Sequence, residues 1–331
     1  MFVHASRIQK QIEYLTQLGI DVKPLYQQIG IEKDELLKPG KHFDFEQYKA
    51  VLDFALHQTG NPDYGLDLGN QPQLGGTVGM LSASCQNLKE ALIQGCKFLK
   101  VQGDFADLQF VDGPEPKLVY RLVESWPLES PHTAKLEVDA MFSFLHTILK
   151  INSNHTLKAK WILLNCAKPE HPEKYEAVFG LRPQFAAASN EMVFDGMSLQ
   201  IPMKAFNPET FQLLSEYLSR QLDQLSQSER YADKVKRILH SSFQYQFPDI
   251  DAVAEKLSLS SRKLQRKLSE EQTTFRGILQ ETRFNLAKQL LKQNVHTISE
   301  ISYILGYSDL GNFSRSFKKY VGLSPQAFRE Q

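Results

Sequence analysis

Helical and alternating spacings of apolar residues share the first two thirds of the chain, whereas the last third is helical throughout. Apolar positions recur at helical spacing over 5–18 and 45–56, and Pro24 fits the first turn of a short helix between them. Gln71-Pro72-Gln73-Leu74-Gly75-Gly76-Thr77-Val78-Gly79 reads as a glycine-rich turn. It leads to a helix over 88–99, with Asn87 as its cap. Strand-like runs at 105–111 and 117–123 flank Asp112-Gly113-Pro114-Glu115-Pro116, a hairpin turn. A helix over 131–149, a strand over 160–165, a short helix over 173–179 ending at Gly180 and a strand over 191–194 follow. Hairpin strands with interspersed helices predict an α+β domain packed around one sheet. A last helix over 208–225 runs into Ser226-Gln227-Ser228-Glu229, which has no apolar residue. The boundary is set there, giving one domain over 1–225 and an all-α domain over 226–331.

The second domain repeats itself. Ile250, Val253, Ala254 and Leu257 give a short helix with one apolar face, interrupted by Ser258-Leu259-Ser260. A second helix starts near Ser261, with Leu264 and Leu268 inward, Arg262 and Arg266 nearly opposite them and Gln265 at the flank. The pattern returns with Ile298, Ile301 and Leu305, a turn at Gly306, and Phe313 and Phe317 as the inward pair. Gly311, Arg315 and Lys318 then fall on the outward face, with Asn312 and Lys319 at its edges. Between the units, apolar residues from Phe275 to Leu291 mark a long helix that joins two helix-turn-helix motifs. At 1.5 Å per residue it is long enough to hold the two outward-facing helices roughly one DNA turn apart. Two short helices, a tight turn and a cationic outward face are the geometry that seats a helix in the major groove.

Charge sharpens this picture. The net charge is zero, but residues 230–331 hold 17 Lys and Arg against 10 Asp and Glu, leaving 21 against 28 in residues 1–229. The surplus of basic groups sits where the motif predicts nucleic acid. No run approaches the roughly 18 apolar residues of a membrane span. The start, Met1-Phe2-Val3-His4-Ala5-Ser6-Arg7, lacks the basic segment and apolar run of a secretory signal. Cys85, Cys96 and Cys166, odd in number and widely spaced, are expected to be reduced and inert in a cytoplasm.

Longer strings carry a resemblance. Leu264-Gln265-Arg266-Lys267-Leu268, Ala287-Lys288-Gln289-Leu290-Leu291 and Thr297-Ile298-Ser299-Glu300-Ile301 precede Leu305-Gly306-Tyr307-Ser308-Asp309. Phe313-Ser314-Arg315-Ser316-Phe317-Lys318-Lys319-Tyr320-Val321-Gly322-Leu323-Ser324-Pro325 completes them, and over 230–331 the whole closely resembles the AraC/XylS signature. The resemblance implies a transcription regulator with base-reading positions at Arg262, Gln265 and Arg266 and at Gly311, Asn312 and Arg315. Lys263, Lys267, Lys318 and Lys319 are expected on phosphate, which adds affinity without sequence information. Gly311 departs from the family pattern, leaving no side chain to read a base. It also costs about 1 kcal/mol of helix propensity against Ala, so the second helix is expected to read less sequence than the first.

Over 15–205 the chain resembles the sensor domain of the ornithine-utilisation and virulence-regulator branch, often labelled arabinose-binding. The residues are Leu74-Gly75-Gly76-Thr77-Val78-Gly79-Met80-Leu81, Leu88-Lys89-Glu90-Ala91-Leu92 and Pro172-Glu173-Lys174-Tyr175-Glu176-Ala177-Val178-Phe179-Gly180. It implies a regulatory domain that takes a small-molecule effector or mediates homodimerisation. Phe105, Phe110, Tyr120, Trp126, Phe142, Phe144 and Trp161 are either plain core or pocket lining. Tyr120, Arg121 and Trp126 are the effector candidates, and Arg121 in strand register either faces an anionic ligand or forms an outward salt bridge.

No catalytic residue, metal ligand or cofactor is expected. The nine histidines have no Cys or His neighbours at metal spacing. The glycine-rich turn lacks the Lys-Ser/Thr of a phosphate loop, and no Gly-x-Ser-x-Gly elbow occurs. The expected partners are operator or promoter DNA, RNA polymerase, the effector and a second copy, with no membrane. Two alternatives stand beside an effector-controlled activator. One is an alkyl-acceptor enzyme fused to the DNA-binding module, for which the four-cysteine zinc cluster and Pro-Cys-His acceptor are missing. The other is a ligand-independent regulator switched by a protein partner.

Overall fold

A computed structural model describes residues 1–71, 75–123, 125–153, 159–228, 230–241, 247–293 and 296–330. Pro72 to Leu74 of the glycine-rich turn and Glu229 of the polar boundary lie outside the described residues. Two compact units result, Met1–Leu225 and Ser226–Gln331. Among the described residues no helix is long and apolar enough to cross a membrane.

The first unit opens with β1 (Phe2–His4), α1 (Ala5–Gln17), α2 (Lys23–Ile29), β2 (His42–Asp44) and α3 (Phe45–Thr59). β1 pairs antiparallel with β2. Then come α4 (Tyr64–Gly69), α5 (Gly76–Ala83), α6 (Leu88–Gln102), the hairpin β3 (Ala106–Val111) and β4 (Lys117–Leu122), α7 (Ser125–Glu129) and α8 (Pro131–Asn152). β5 (Ala159–Leu163), α9 (Pro172–Phe179), β6 (Asn190–Phe194) and α10 (Pro208–Ser228) complete it. The four-stranded sheet runs β3-β4-β6-β5 with antiparallel neighbours. An α+β first domain and an all-α second domain are thus the observed fold classes.

Close packing of α4 on α8 organises this unit. A Cβ on Gly65 would lie 2.2 Å from the Leu136 carbonyl oxygen, and one on Gly69 would lie 2.4 Å from that of Ala140. Only hydrogen at both positions lets the backbones meet, and Ser143 Oγ then donates to the Leu66 carbonyl at 2.8 Å. The glycine-rich turn is shorter than its composition predicts. Thr77 and Val78 already belong to α5, whose apolar side is buried through Val78 and Leu81.

The second unit holds α11 (Tyr231–Ser241), α12 (Ile250–Lys256), α13 (Ser261–Glu270), α14 (Phe275–Gln293), α15 (Ile298–Ile304), α16 (Leu310–Val321) and α17 (Pro325–Arg329). Among the described residues it has two cores. Val235, Leu239, Val253, Leu264 and Leu268 gather with Ile278 of α14, while Ile301, Leu305, Phe313 and Phe317 gather with Phe284, Ala287 and Leu291 of the same helix. α14 is therefore a shared spine, its two ends serving different clusters.

Side-chain caps delimit the short helices, satisfying backbone N–H groups that lack intrahelical partners. Asp249 accepts from the Ala252 amide, Ser260 from Lys263 and Ser324 from Ala327. Thr297 and Glu300 form a reciprocal capping box.

Candidate nucleic-acid interface

Each helix-turn-helix is built around a left-handed residue. Ser258 has φ +55° between α12 and α13, and Gly306 has φ +79° after α15. The first is a polar side chain held where glycine is usual. The turns aim α13 and α16 so that Leu264 and Leu268, and Phe313 and Phe317, are completely buried. Burial of these pairs fixes the helix rotation. Arg262, Lys263, Gln265 and Arg266 are left exposed on α13, with Lys267 half-buried. On α16 the exposed set is Gly311, Asn312, Arg315, Lys318 and Lys319. All the residues singled out for base or phosphate contact therefore lie on the two solvent-facing sides.

Neighbouring groups contact several of these side chains. On α13, Glu270 draws Arg266 Nε to 3.6 Å and Lys267 Nζ to 3.2 Å. On α16 a chain of polar contacts starts at the cap: Asp309 accepts from the Asn312 amide at 2.7 Å and from Asn312 Nδ2. Asn312 Oδ1 then accepts from Arg315 Nη2 at 2.7 Å. The Asp309 carboxyl is held below its ordinary range, chiefly by the Asn312 backbone amide. Periodicity had no means of finding Glu270 or this relay, because both depend on side-chain reach across one turn.

Arg283 of α14 was also not singled out. Its guanidinium lies 5.7 Å from the Phe247 ring and 5.9 Å from the Tyr307 ring. Phe247 belongs to the first core and Tyr307 packs on the second, so one cation touches both repeats.

The first unit contains a cavity of about 310 Å³ between α1, α5, α6 and α8 and the strand residues Leu108 and Leu118. Phe144, Met141, Leu92 and Leu99 give it apolar walls, and Arg7, Lys10 and Gln11 of α1 give it polar ones. None of Tyr120, Arg121 and Trp126 lines it. Tyr120 is buried with its hydroxyl donating to Glu137 Oε1 at 2.8 Å, and Trp126 Nε1 donates to Thr133 Oγ1 at 2.9 Å. Arg121 is exposed and donates to Gln109 at 3.1 Å, so its side chain faces outward. The register argument fails because Leu118, Val119 and Tyr120 are all buried, both faces of central strand β4 being covered. Of the seven aromatic candidates, Phe144 alone lines the cavity, while Trp161 is 48% exposed.

Burial pushes the thiols of Cys85 and Cys96 up to about 12 and that of Cys166 up to about 11, keeping all three protonated at neutral pH. An acceptor cysteine needs the opposite shift.

The family described as the arabinose-binding domain of AraC transcription regulator, N-terminal, matches residues 19–203, and a helix-turn-helix domain family matches 253–331. The ornithine utilization regulator of Pseudomonas aeruginosa is 27% identical over 323 residues, 96% of this chain and 94% of that one. The transcriptional activator CfaD of Escherichia coli is 30% identical over 98 residues, 30% of this chain and 37% of that one. The crystal structure of the transcriptional regulator CdpR from Pseudomonas aeruginosa matches 98% of this chain and 97% of that one, at 20% identity and a TM-score of 0.48.

Proposed function

The chain belongs to the AraC family of DNA-binding transcription regulators, and from that membership we propose an activator that grips operator DNA with α13 and α16 under control of residues 1–225. The observation carrying this reading is the pair of exposed faces, each on a side-chain-capped helix seated on its own core. Arg262, Gln265 and Arg266, with Asn312 and Arg315, have the donor and acceptor groups that read base edges. Lys263, Lys267, Lys318 and Lys319 flank them as phosphate contacts, and Gly311 admits close backbone approach.

Control by a small-molecule effector is supported by the cavity in the first unit. The effector would act by binding the DNA-competent arrangement better than the other. Homodimerisation through the same unit would set four recognition helices on two half-sites and raise affinity through effective concentration. The activator role rests on the likeness to CfaD over 98 residues, and it makes RNA polymerase a partner in the cytoplasm. The high thiol values argue for a regulator without alkyl-transfer chemistry.

Selection of the full chain against randomised duplexes, followed by footprinting, tests the reading. Each bound protomer is expected to protect two major-groove segments about ten base pairs apart on one face. Recovery of duplexes with no shared sequence would sink it.

A further inference from the structure

The polar wall of the first unit's cavity has too many unmet groups for a core. Glu137, fully buried on α8, is engaged three times: its oxygens accept from Arg7 Nη2, from Tyr48 at 2.7 Å and from Tyr120 at 2.8 Å. Burial and the nearby carboxylate push both phenols up, so they remain donors. A second cation lies on the same wall.

That second cation is Lys10, one turn along α1 from Arg7. Its ammonium lies 4.5 Å from the centre of the Phe144 ring, inside the cavity lining. Among the described residues no carboxylate lies within ion-pair distance of it, in contrast to Lys49, Lys117 and Lys135 of the same unit. Burial, with Arg7 close by, outweighs the opposing pull of Glu137 and brings its ammonium down to about 8. Beside it, Arg7 Nε and Gln11 Oε1 are buried and have no hydrogen-bond partner among the described residues, and Gln11 is only 2% exposed. A buried polar atom without a partner costs roughly 1–3 kcal/mol. The Lys10 ammonium and the unpartnered Arg7 Nε, two donors on one wall of an otherwise apolar cavity, mark a place for an anion with an apolar body.

We propose that this cavity binds a small monocarboxylate whose acid group pairs with Lys10 beside Arg7 Nε and whose apolar body lies along Phe144, Met141, Leu92 and Leu99. A carboxylate supplies the charge that Lys10 lacks and acceptors for Arg7. A phosphate or dianion fits less well, since Glu137 neutralises Arg7 and leaves one net positive charge. The assignment rests on the reading of residues 1–225 as an effector domain, and it names the effector's chemical class.

Both tryptophans of the chain, Trp126 and Trp161, lie in this unit, so their emission during melting reports on it alone. The full chain would be melted with hexanoate, octanoate and phenylacetate, and with 1-octanol and octylamine as neutral and cationic counterparts. The carboxylates are expected to raise the transition in a concentration-dependent manner by mass action, and the counterparts are not. Lys10→Met should weaken carboxylate binding about tenfold or more. The same variant should melt higher than the parent without ligand, because a partly buried ammonium without an ion-pair partner among the described residues is gone. Lys10→Arg keeps the cation and should keep the shift.

Equal shifts with 1-octanol, an unchanged response of Lys10→Met, or no shift with any carboxylate would each overturn the assignment. Gel shifts on the selected operator separate this from the regulatory reading. Carboxylate binding that leaves DNA affinity untouched upholds the cavity assignment and removes effector control.

Discussion

Arg266 and Lys318 occupy similar exposed positions but are expected to fail differently when truncated. Arg266 carries a planar fork suited to guanine O6 and N7, and its contact with Glu270, at 3.6 Å between exposed side chains, is too weak to hold it back. Arg266→Ala should cost about 1–3 kcal/mol of operator affinity and relax preference at one base position. Lys318→Ala should weaken all duplexes alike and flatten the salt dependence by about one unit. Gel shifts at several salt concentrations check both, and base-specific loss in the lysine variant would contradict its phosphate role. These exposed faces were legible because a 3.6-residue period with two buried anchors fixes helix rotation. Gly311 was read from its missing side chain and from helix propensity, without the cap geometry. It lies in the first turn of α16, where an added Cβ would stand 3.2 Å from Asp309 Oδ1, so the cap's closeness adds a steric term to the propensity cost.

At the scale of elements, the contact between α4 and α8 makes the sharpest demand on sequence. Gly69→Ala would put a methyl group 2.4 Å from the Ala140 carbonyl oxygen and 2.7 Å from Ser143 Cβ. Both obstacles belong to the α8 backbone or lie next to it, so the helices must separate. A loss of about 1–3 kcal/mol is expected, the scale of overpacking in a dense core. Urea unfolding followed by tryptophan emission measures it, and a midpoint equal to the parent's would show that the helices part freely. α4 was not predicted from the sequence, nor were α7, β1 and β2. Elements of three to six residues are too short to reveal a period, and tertiary contacts decide them. The long helices were legible for the opposite reason. The cavity was missed because α1 alone reads as amphipathic, with Arg7 and Lys10 on its polar side. Only the arrival of α5, α6 and α8 turns that side inward.

Across the whole molecule, buried titratable groups crowd into the first unit, and this predicts how the protein responds to acid. His4 and His146 are pulled down to about 4, mainly by burial, with His42 and Lys150 adding repulsion to each in turn. Burial lowers His42 as well. In the unfolded chain these imidazoles titrate at their ordinary 6.5. Between pH 6.5 and 4 the unfolded chain therefore binds protons that the folded one refuses, and folding stability falls as pH falls. Asp139 acts in the other direction. Burial, opposed by Lys135 and Tyr175, raises its carboxyl to about 6. Folding therefore takes up a proton there from about pH 6 downward, partly offsetting the loss. Asp53 is also raised by burial and acts the same way, but three imidazoles against two carboxyls leave a net loss. His4 adds a structural cost, because its neutral Nδ1 accepts the Ser6 amide at 3.2 Å as the cap of α1, and protonation removes that acceptor. The tryptophan-reported melting temperature is thus expected to drop between pH 7 and 5. His146→Gln should make the drop shallower and Asp139→Asn should make it steeper, since one removes a titrating imidazole and the other an opposing carboxyl. A melting temperature that stays level or rises over that interval would show that the three rings take up their protons without leaving the fold.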